Sequence, residues 1–447
     1  MNEDATSRAV SAGRTEPGVD GKLVPATTTQ MKRLALLHGP DRWWKHPFVW
    51  AFAYPGRLDV PRLQEALRLV ARRHSSLRMY FLPDQSIDMV GCLAPDEALW
   101  PLKEMTAGPD PAAADAEAYA WLQRMFSPDD RPLLRAVVLH RADGDMFGVS
   151  LEHSILDHTA AMALFEDLAT VYDGLVDHPA SAFDELISDA AGFAYEERAW
   201  LASDAASKAL AWWDEYNEGL GAYPGLDLPE LGKFEPFSPI INYDVMLSAE
   251  DTIQLKRHAA KLRLTPTMLA SAATAVTLRA HGHSADVRFL FATSRRIWPN
   301  LERLIGYCSN RMMVRVPVAA HDTVSSVAPK VRTSVLEAVR QSMFSHEEYV
   351  RARFPDAYSR QPTSYGYLNT AVYESAPQLG GLSLTRESLP LPERDFHQPG
   401  LALGLFLYGD GRAVVNASCA DGMYTRDFVE RFAQDFARSC VGTTQGE

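Results

Sequence analysis

Seven consecutive residues, Glu152-His153-Ser154-Ile155-Leu156-Asp157-His158, bring two imidazoles and two carboxylates together. A neutral imidazole accepts a proton near pH 7, so this segment suits chemistry in which an attacking group must lose one. The apolar run Met146–Leu151 reads as a strand that leads straight into Glu152-His153, and a helix is expected from about Asp157 to Tyr172. A histidine at a strand end, beside a helix start, faces the cleft between structural layers. Asp157 at that start caps free N–H groups and complements the helix dipole. Side chains alternate along a strand, so Glu152 and His153 point to opposite faces, and Glu152 needs a partner behind the wall. Taken alone, His153 also fits a satisfied, partly buried histidine, and the wider pattern has to decide.

The elements that would position this segment recur twice along the chain. In the first half, Thr27–Met31 leads into Phe48–Ala53, which reads as a strand, followed by Val60–Ser75 as an amphipathic helix and Leu77–Phe81 as an alternating strand. Ala113–Met125 is expected to be helical, and strands are expected over Leu133–His140 and Met146–Leu151, separated by Asp143-Gly144-Asp145. Val176–Asp189 reads as a loop and Tyr195–Tyr216 as one helical stretch. The Gly- and Pro-rich segment 219–239 reads as the connection between halves. In the second half, strands are expected at Ile241–Leu247, Val287–Thr293 and Met312–Val318, with helices at Thr252–Leu262 and after Thr265-Pro266, a cap followed by a first-turn proline. Leu401–Tyr408 and Arg412–Ser418 flank Gly409-Asp410-Gly411 as a hairpin before a last helix over Thr425–Cys440. Strands and helices mix without regular βαβ alternation, which predicts an α+β fold.

With 447 residues the chain exceeds the size of a single core, so two lobes are expected. A formal net charge of -13 argues against nucleic acid or an anionic membrane surface as partner. Cys92, Cys308, Cys419 and Cys440 are scattered without CxxC spacing, which fits a reducing cytoplasm. Met1–Lys22 lacks an apolar h-region and reads as a disordered tail, and no apolar run has the length of a membrane span.

The segment around His153 resembles the His-His-x-x-x-Asp-Gly motif of nonribosomal peptide synthetase condensation domains, within the CoA-dependent, HxxxD acyltransferase superfamily. The second His matches His153 and the Asp matches Asp157, while Glu152 replaces the first His and His158 the final Gly. Further stretches are similar in the same order. They are Arg73-His74-Ser75-Ser76-Leu77-Arg78, the helical region Tyr195–Trp213, Arg296 with Pro299–Tyr307 and Asn310, and the closing hairpin and helix. The resemblance covers roughly residues 25 to 440.

That resemblance implies two chloramphenicol-acetyltransferase-like α/β sandwich lobes in a V, with a tunnel between them. The expected division is a tail at 1–24, a lobe over 25–190 carrying the HxxxD motif, and a lobe over 191–447. It implies a free-standing condensation-type acyltransferase of specialised-metabolite biosynthesis, forming an amide or ester. The donor would be a thioester on the phosphopantetheine arm of a carrier protein in trans, or on CoA. The acceptor would be a small amine or alcohol. His153 would be catalytic, and Asp157 paired with Arg296 would support the loop that carries it. Glu152, His158 and Asn310 are candidates for specificity, no metal is expected, and the two lobes fit a functional monomer. A catalytically inactive, partner-recruiting condensation-like domain is the alternative, favoured by Glu152 and His158. A metallohydrolase fits less well: His153, Asp157 and His158 match part of a His-x-His-x-Asp-His ligand set, but its middle ligand position is Ile155. A serine hydrolase lacks its Gly-x-Ser-x-Gly elbow, since Gly148-Val149-Ser150 has no second glycine.

Overall fold

A computed structural model describes residues 22–38, 47–175, 189–223, 225–229, 232, 238–360, 365–373, 377–387 and 400–442. The expected tail up to residue 21, the expected loop 176–188 and parts of the 219–239 connection lie outside these residues.

The first half contains α1 (Thr28–His38), β1 (Phe48–Tyr54), α2 (Val60–Arg73), β2 (Leu102–Thr106), α3 (Pro111–Gln123), β3 (Leu134–Arg141), β4 (Gly144–Leu151) and α4 (His158–Gly174). The second contains α5 (Ala190–Leu201), α6 (Asp204–Tyr216), β5 (Ile240–Leu247), α7 (Ala249–Leu262), α8 (Pro266–Ala280), β6 (Asp286–Ser294), β7 (Ser309–Pro317), α9 (Val324–Arg340) and α10 (His346–Arg353). It closes with β8 (Gly366–Tyr373), β9 (Leu401–Tyr408), β10 (Ala413–Ala420) and α11 (Arg426–Val441).

Two mixed sheets organise these elements. The first runs β1-β4-β3-β2, with the short strand Thr385–Arg386 from the second half added against β1. The second runs β7-β6-β8-β9-β10-β5. Each sheet has its own apolar core. Leu63, Leu67, Val70, Phe147, Val149, Leu164 and Leu168 build the first, and Leu269, Phe289, Phe291, Val314, Leu403, Phe432 and Phe436 the second. Ala194, Ile305 and Leu384 from the second half also pack into the first core.

The α+β class and the two-lobe architecture match the expectation, and Thr265 caps α8 with Pro266 in its first turn. Four local readings are corrected. Lys22–Pro25, at the edge of the expected tail, is a strand paired with Met89–Cys92. Thr27–Met31 does not lead into a strand but opens α1, closed by reciprocal bonds between Thr27 and Gln30, N–H to Oε1 at 2.9 Å and Oγ1 from N–H at 3.3 Å. Leu77–Phe81 is not one strand: Ser75–Arg78 forms a 3-10 turn and only Met79–Tyr80 is extended. The stretch Tyr195–Tyr216 is two helices, broken at Ala202-Ser203.

α1 lies between the lobes and holds polar groups of both. Gln30 Nε2 donates to the Ser154 carbonyl at 2.9 Å. The Thr28 N–H and hydroxyl donate to Glu197 of α5 at 2.7 and 3.0 Å, and Arg295 pairs with that same carboxylate.

Candidate active site

β4 is buried along nearly its whole length and ends at Leu151, where the Glu152 N–H still donates to the Leu133 carbonyl at 3.0 Å. The chain then turns through residues 153–156 and enters α4 with Asp157 as its N-cap. This turn projects His153 into a pocket between the lobes that is open to solvent. Elements from both halves line it, including α1, β1, the start of α4, β7, the start of α10 and β8.

His153 is held on three sides. Its Nδ1 lies 3.0 Å from the Leu156 carbonyl oxygen. A carbonyl only accepts, so Nδ1 carries the proton and Nε2 keeps its lone pair in the neutral ring. The rings of Phe48 and Tyr307 flank the imidazole, with centroids 4.0 and 4.4 Å away. Burial, reinforced by the Arg33 guanidinium and only partly offset by Glu152, pushes the His153 imidazolium down to about 4. At neutral pH the ring is therefore an uncharged acceptor.

Asp157 is tied to the scaffold through both carboxylate oxygens. Oδ1 accepts the Ala160 N–H at 2.9 Å. Oδ2 accepts Arg296 Nη1 at 2.8 Å, the backbone N–H groups of Cys308 and Ser309 at 2.9 Å each, and the Ser309 hydroxyl at 3.2 Å. Arg296 completes the clamp through Nη2, donating to the carbonyls of Leu304 and Gly306 at 2.8 and 3.1 Å. Burial opposes ionisation of Asp157, but Arg296 and the backbone donors outweigh it and hold the carboxyl below its usual range. The helix that follows His153 is thereby tied to the turn between β6 and β7 of the other lobe.

Glu152 lies on the opposite face from His153 and does not line the pocket. Its partner is Arg33 of α1, whose Nε and Nη2 donate to Oε1 at 2.9 and 2.5 Å, while Oε2 accepts the Ser154 N–H. His158, the first residue of α4, does line the pocket and packs edge-on against Tyr373 at 4.6 Å. Asn310 on β7 lines it too, with Nδ2 donating to the Ser342 carbonyl at 2.5 Å and Oδ1 buried without a hydrogen-bond partner among the described residues. Among the described residues no group of three or more His, Cys, Asp or Glu is arranged to hold a metal ion.

The pocket also gathers residues that sequence reasoning did not single out: Lys32 and Arg33 on α1, Arg311 on β7, and Glu347 on α10. The Thr27-x-x-Gln30 capping pattern was a readable signal for α1. Arg311 and Glu347 are 36 residues apart and carry no mutual spacing signal.

A family model described as Condensation domain matches residues 22–437. One of the linear gramicidin synthase proteins of Brevibacillus parabrevis is 28% identical over 308 residues, covering 66% of this chain and 4% of that protein. Phosphinothricin tripeptide synthetase PhsC of Streptomyces viridochromogenes is 26% identical over 353 residues, covering 76% of this chain and 31% of that protein. The chain thus spans only a small part of the curated relatives it matches. Among solved structures, the epimerization domain from the third module of tyrocidine synthetase B superposes with a TM-score of 0.79 at 15% identity, covering 96% of this chain and 98% of that one. The X-domain from teicoplanin biosynthesis superposes with a TM-score of 0.76 at 22% identity, covering 96% of both chains. No helix among the described residues is long and apolar enough to cross a membrane.

Proposed function

The chain belongs to the condensation-domain family, and we propose that it transfers an acyl group from a thioester to an amine or alcohol acceptor, with His153 as the catalytic residue. The observation that carries this reading is the bond between His153 Nδ1 and the Leu156 carbonyl, which leaves the Nε2 lone pair for a group bound in the interlobe pocket. The acceptor attacks the thioester carbonyl, forming the new C–N or C–O bond. Attack makes the acceptor's proton strongly acidic, and Nε2 removes it, even though the ring is a weak base toward water. The C–S bond then breaks, and the proton passes from Nε2 to the departing sulfur. Atoms and charge balance without a metal or redox partner.

The donor in this reading is a thioester on a carrier protein's phosphopantetheine arm. The tripeptide synthetase name of one relative favours an amide product. Asp157 and Arg296 are positioning residues, because both oxygens of the carboxylate are held by scaffold donors. His158 and Asn310 shape the pocket wall and bear on substrate choice. Glu152 acts from behind the wall, through Arg33 and the Ser154 N–H.

The test is His153→Ala assayed for acyl transfer from carrier-bound donors. A loss of about 10²–10⁴-fold is expected for removal of a positioned proton acceptor. Unchanged product formation by the variant would remove the catalytic assignment. Absence of any product from the native protein with every donor would leave a partner-recruiting domain as the reading.

A further inference from the structure

The charges described around the pocket do not cancel. Arg33 is committed to Glu152, and Asp157 to Arg296. That leaves Glu347 facing two cations: Lys32 Nζ lies 3.6 Å from Oε2, and Arg311 Nη1 lies 3.2 Å from Oε1. Burial works against the Glu347 charge, but Lys32 and Arg311 prevail and hold the carboxyl down at about 2, so it is ionised throughout the neutral range. Burial lowers the Lys32 pKa, yet its Nζ faces three oxygens, those of Tyr223 OH at 2.9 Å, Tyr358 O at 2.5 Å and Arg360 O at 3.4 Å. Three acceptors match the three N–H groups of an ammonium. Two cations therefore share one anion.

The surplus sits on Arg311. Its Nη1 donates to Glu347 and to the Tyr365 hydroxyl at 3.3 Å, while Nε and Nη2 make no hydrogen bond among the described residues. The side chain is 19% exposed, and it borders the pocket that His153 lines. It stands two residues along β7 from Ser309, which bonds Asp157, and opposite Ala292 of β6, also on the pocket wall. The Tyr367 ring lies alongside at 5.4 Å from the guanidinium carbon. A planar fork with its Nε–Nη2 edge free, next to a rigid aromatic wall, suits a planar two-oxygen anion.

We propose that Arg311 binds a free carboxylate on the substrate, which narrows the substrates to those bearing an acid group besides the reacting amine, alcohol or thioester. This inference rests on the acyl-transfer reading for where the reacting atoms lie. The phosphate of a pantetheine arm does not fit this role, because a thioester at His153 keeps it a whole pantetheine length away. A carrier-bound amino acid has its own carboxyl in the thioester. The acid is therefore that of an untethered acceptor, or one on the side chain of acceptor or donor.

The test compares 3-phenylpropanoate with 3-phenylpropanamide for binding to the full chain, by calorimetry or saturation-transfer NMR; the phenyl group suits a wall of Phe48, Tyr307 and Tyr367. The acid should bind at least about tenfold more tightly, the worth of one charge-assisted bond. Arg311→Gln should abolish the preference and Arg311→Lys retain part of it, with thermal melts confirming that both fold. Equal binding of acid and amide by the native protein, binding of neither, or a preference that survives in Arg311→Gln overturns the proposal. Transfer assays then identify the source, using phenylalanine against phenylalaninamide as acceptors and succinyl against butyryl pantetheine as donors. The pair whose discrimination disappears in Arg311→Gln carries the acid. Because binding needs no turnover, a protein that prefers the acid but transfers nothing retracts the acyl-transfer reading and leaves the carboxylate site in place.

Discussion

Asp157 Oδ2 and Arg296 Nη1 lie 2.8 Å apart, and this buried ion pair joins the first turn of α4 in one lobe to the end of β6 in the other. Four residues before Asp157, the same turn carries His153, so the pair fixes the imidazole relative to the far wall of the pocket.

Breaking this pair should be costly on both sides. Asp157→Asn and Arg296→Ala each leave a buried charge without its partner, at about 3–5 kcal/mol. Both should lower the urea midpoint and reduce acyl transfer together. In a double-mutant cycle the combined variant should lose much less than the sum of the singles. Additive losses would show that the two side chains are not coupled.

Stability should fall with acid in two stages. His153 and His346 are each held at about 4, mainly by burial, against about 6.5 in an unfolded chain. Between those values the unfolded state binds more protons, so stability declines as pH drops from about 6.5 toward 4, at up to about 1.4 kcal/mol per pH unit for each histidine. Glu152, Asp157 and Glu347 have folded values below the unfolded ones. Their contribution is complete above the unfolded carboxylate range and is lost as pH falls through the folded values. His346 is fully buried among Trp213, Tyr223 and Tyr349, so His346→Phe should flatten the upper stage in urea titrations and leave the lower one. An identical slope in the variant would rule His346 out as its source.

Much of this arrangement is written in local sequence. The strand, turn and helix around His153 follow from apolar alternation, a capping aspartate and helical periodicity, all of which act within a few residues. The opposite facing of Glu152 and His153 follows from strand geometry alone. The partner of Glu152 could not be read this way, because Arg33 lies 119 residues earlier on a helix whose cap was the only local clue. Likewise, the Lys32–Glu347–Arg311 cluster assembles from three elements and exists only once the lobes meet. The break between α5 and α6 was hidden because helical composition continues through Ala202-Ser203, where the Ser203 N–H and hydroxyl both turn back onto the Trp200 carbonyl at 3.0 and 2.6 Å.

Glu152→His would install the residue that the family motif carries, yet here it should destabilise. The substitution removes the carboxylate that Arg33 holds at 2.5 Å and puts an imidazole beside a buried guanidinium. A loss of about 3–5 kcal/mol is expected, with His153 activity falling as its loop loosens. Adding Arg33→Leu should recover part of the melting temperature, because it removes the cation that Glu152 balanced. Full stability in Glu152→His alone would mean that other groups balance Arg33 adequately.

His158→Gly tests whether the imidazole at the start of α4 limits what the pocket admits. The ring lines the pocket and rests edge-on against Tyr373. Its Nε2 has no hydrogen-bond partner among the described residues, so its removal opens space without breaking a polar contact of that atom. Asp157 still caps the helix, and glycine in the first turn costs at most about 1 kcal/mol. Bulkier acceptors should then gain in kcat/KM relative to small ones, through KM. Competition between paired acceptors of different size reads this ratio directly. An unchanged ratio would place the size limit elsewhere on the wall, with Asn310 the next residue to replace.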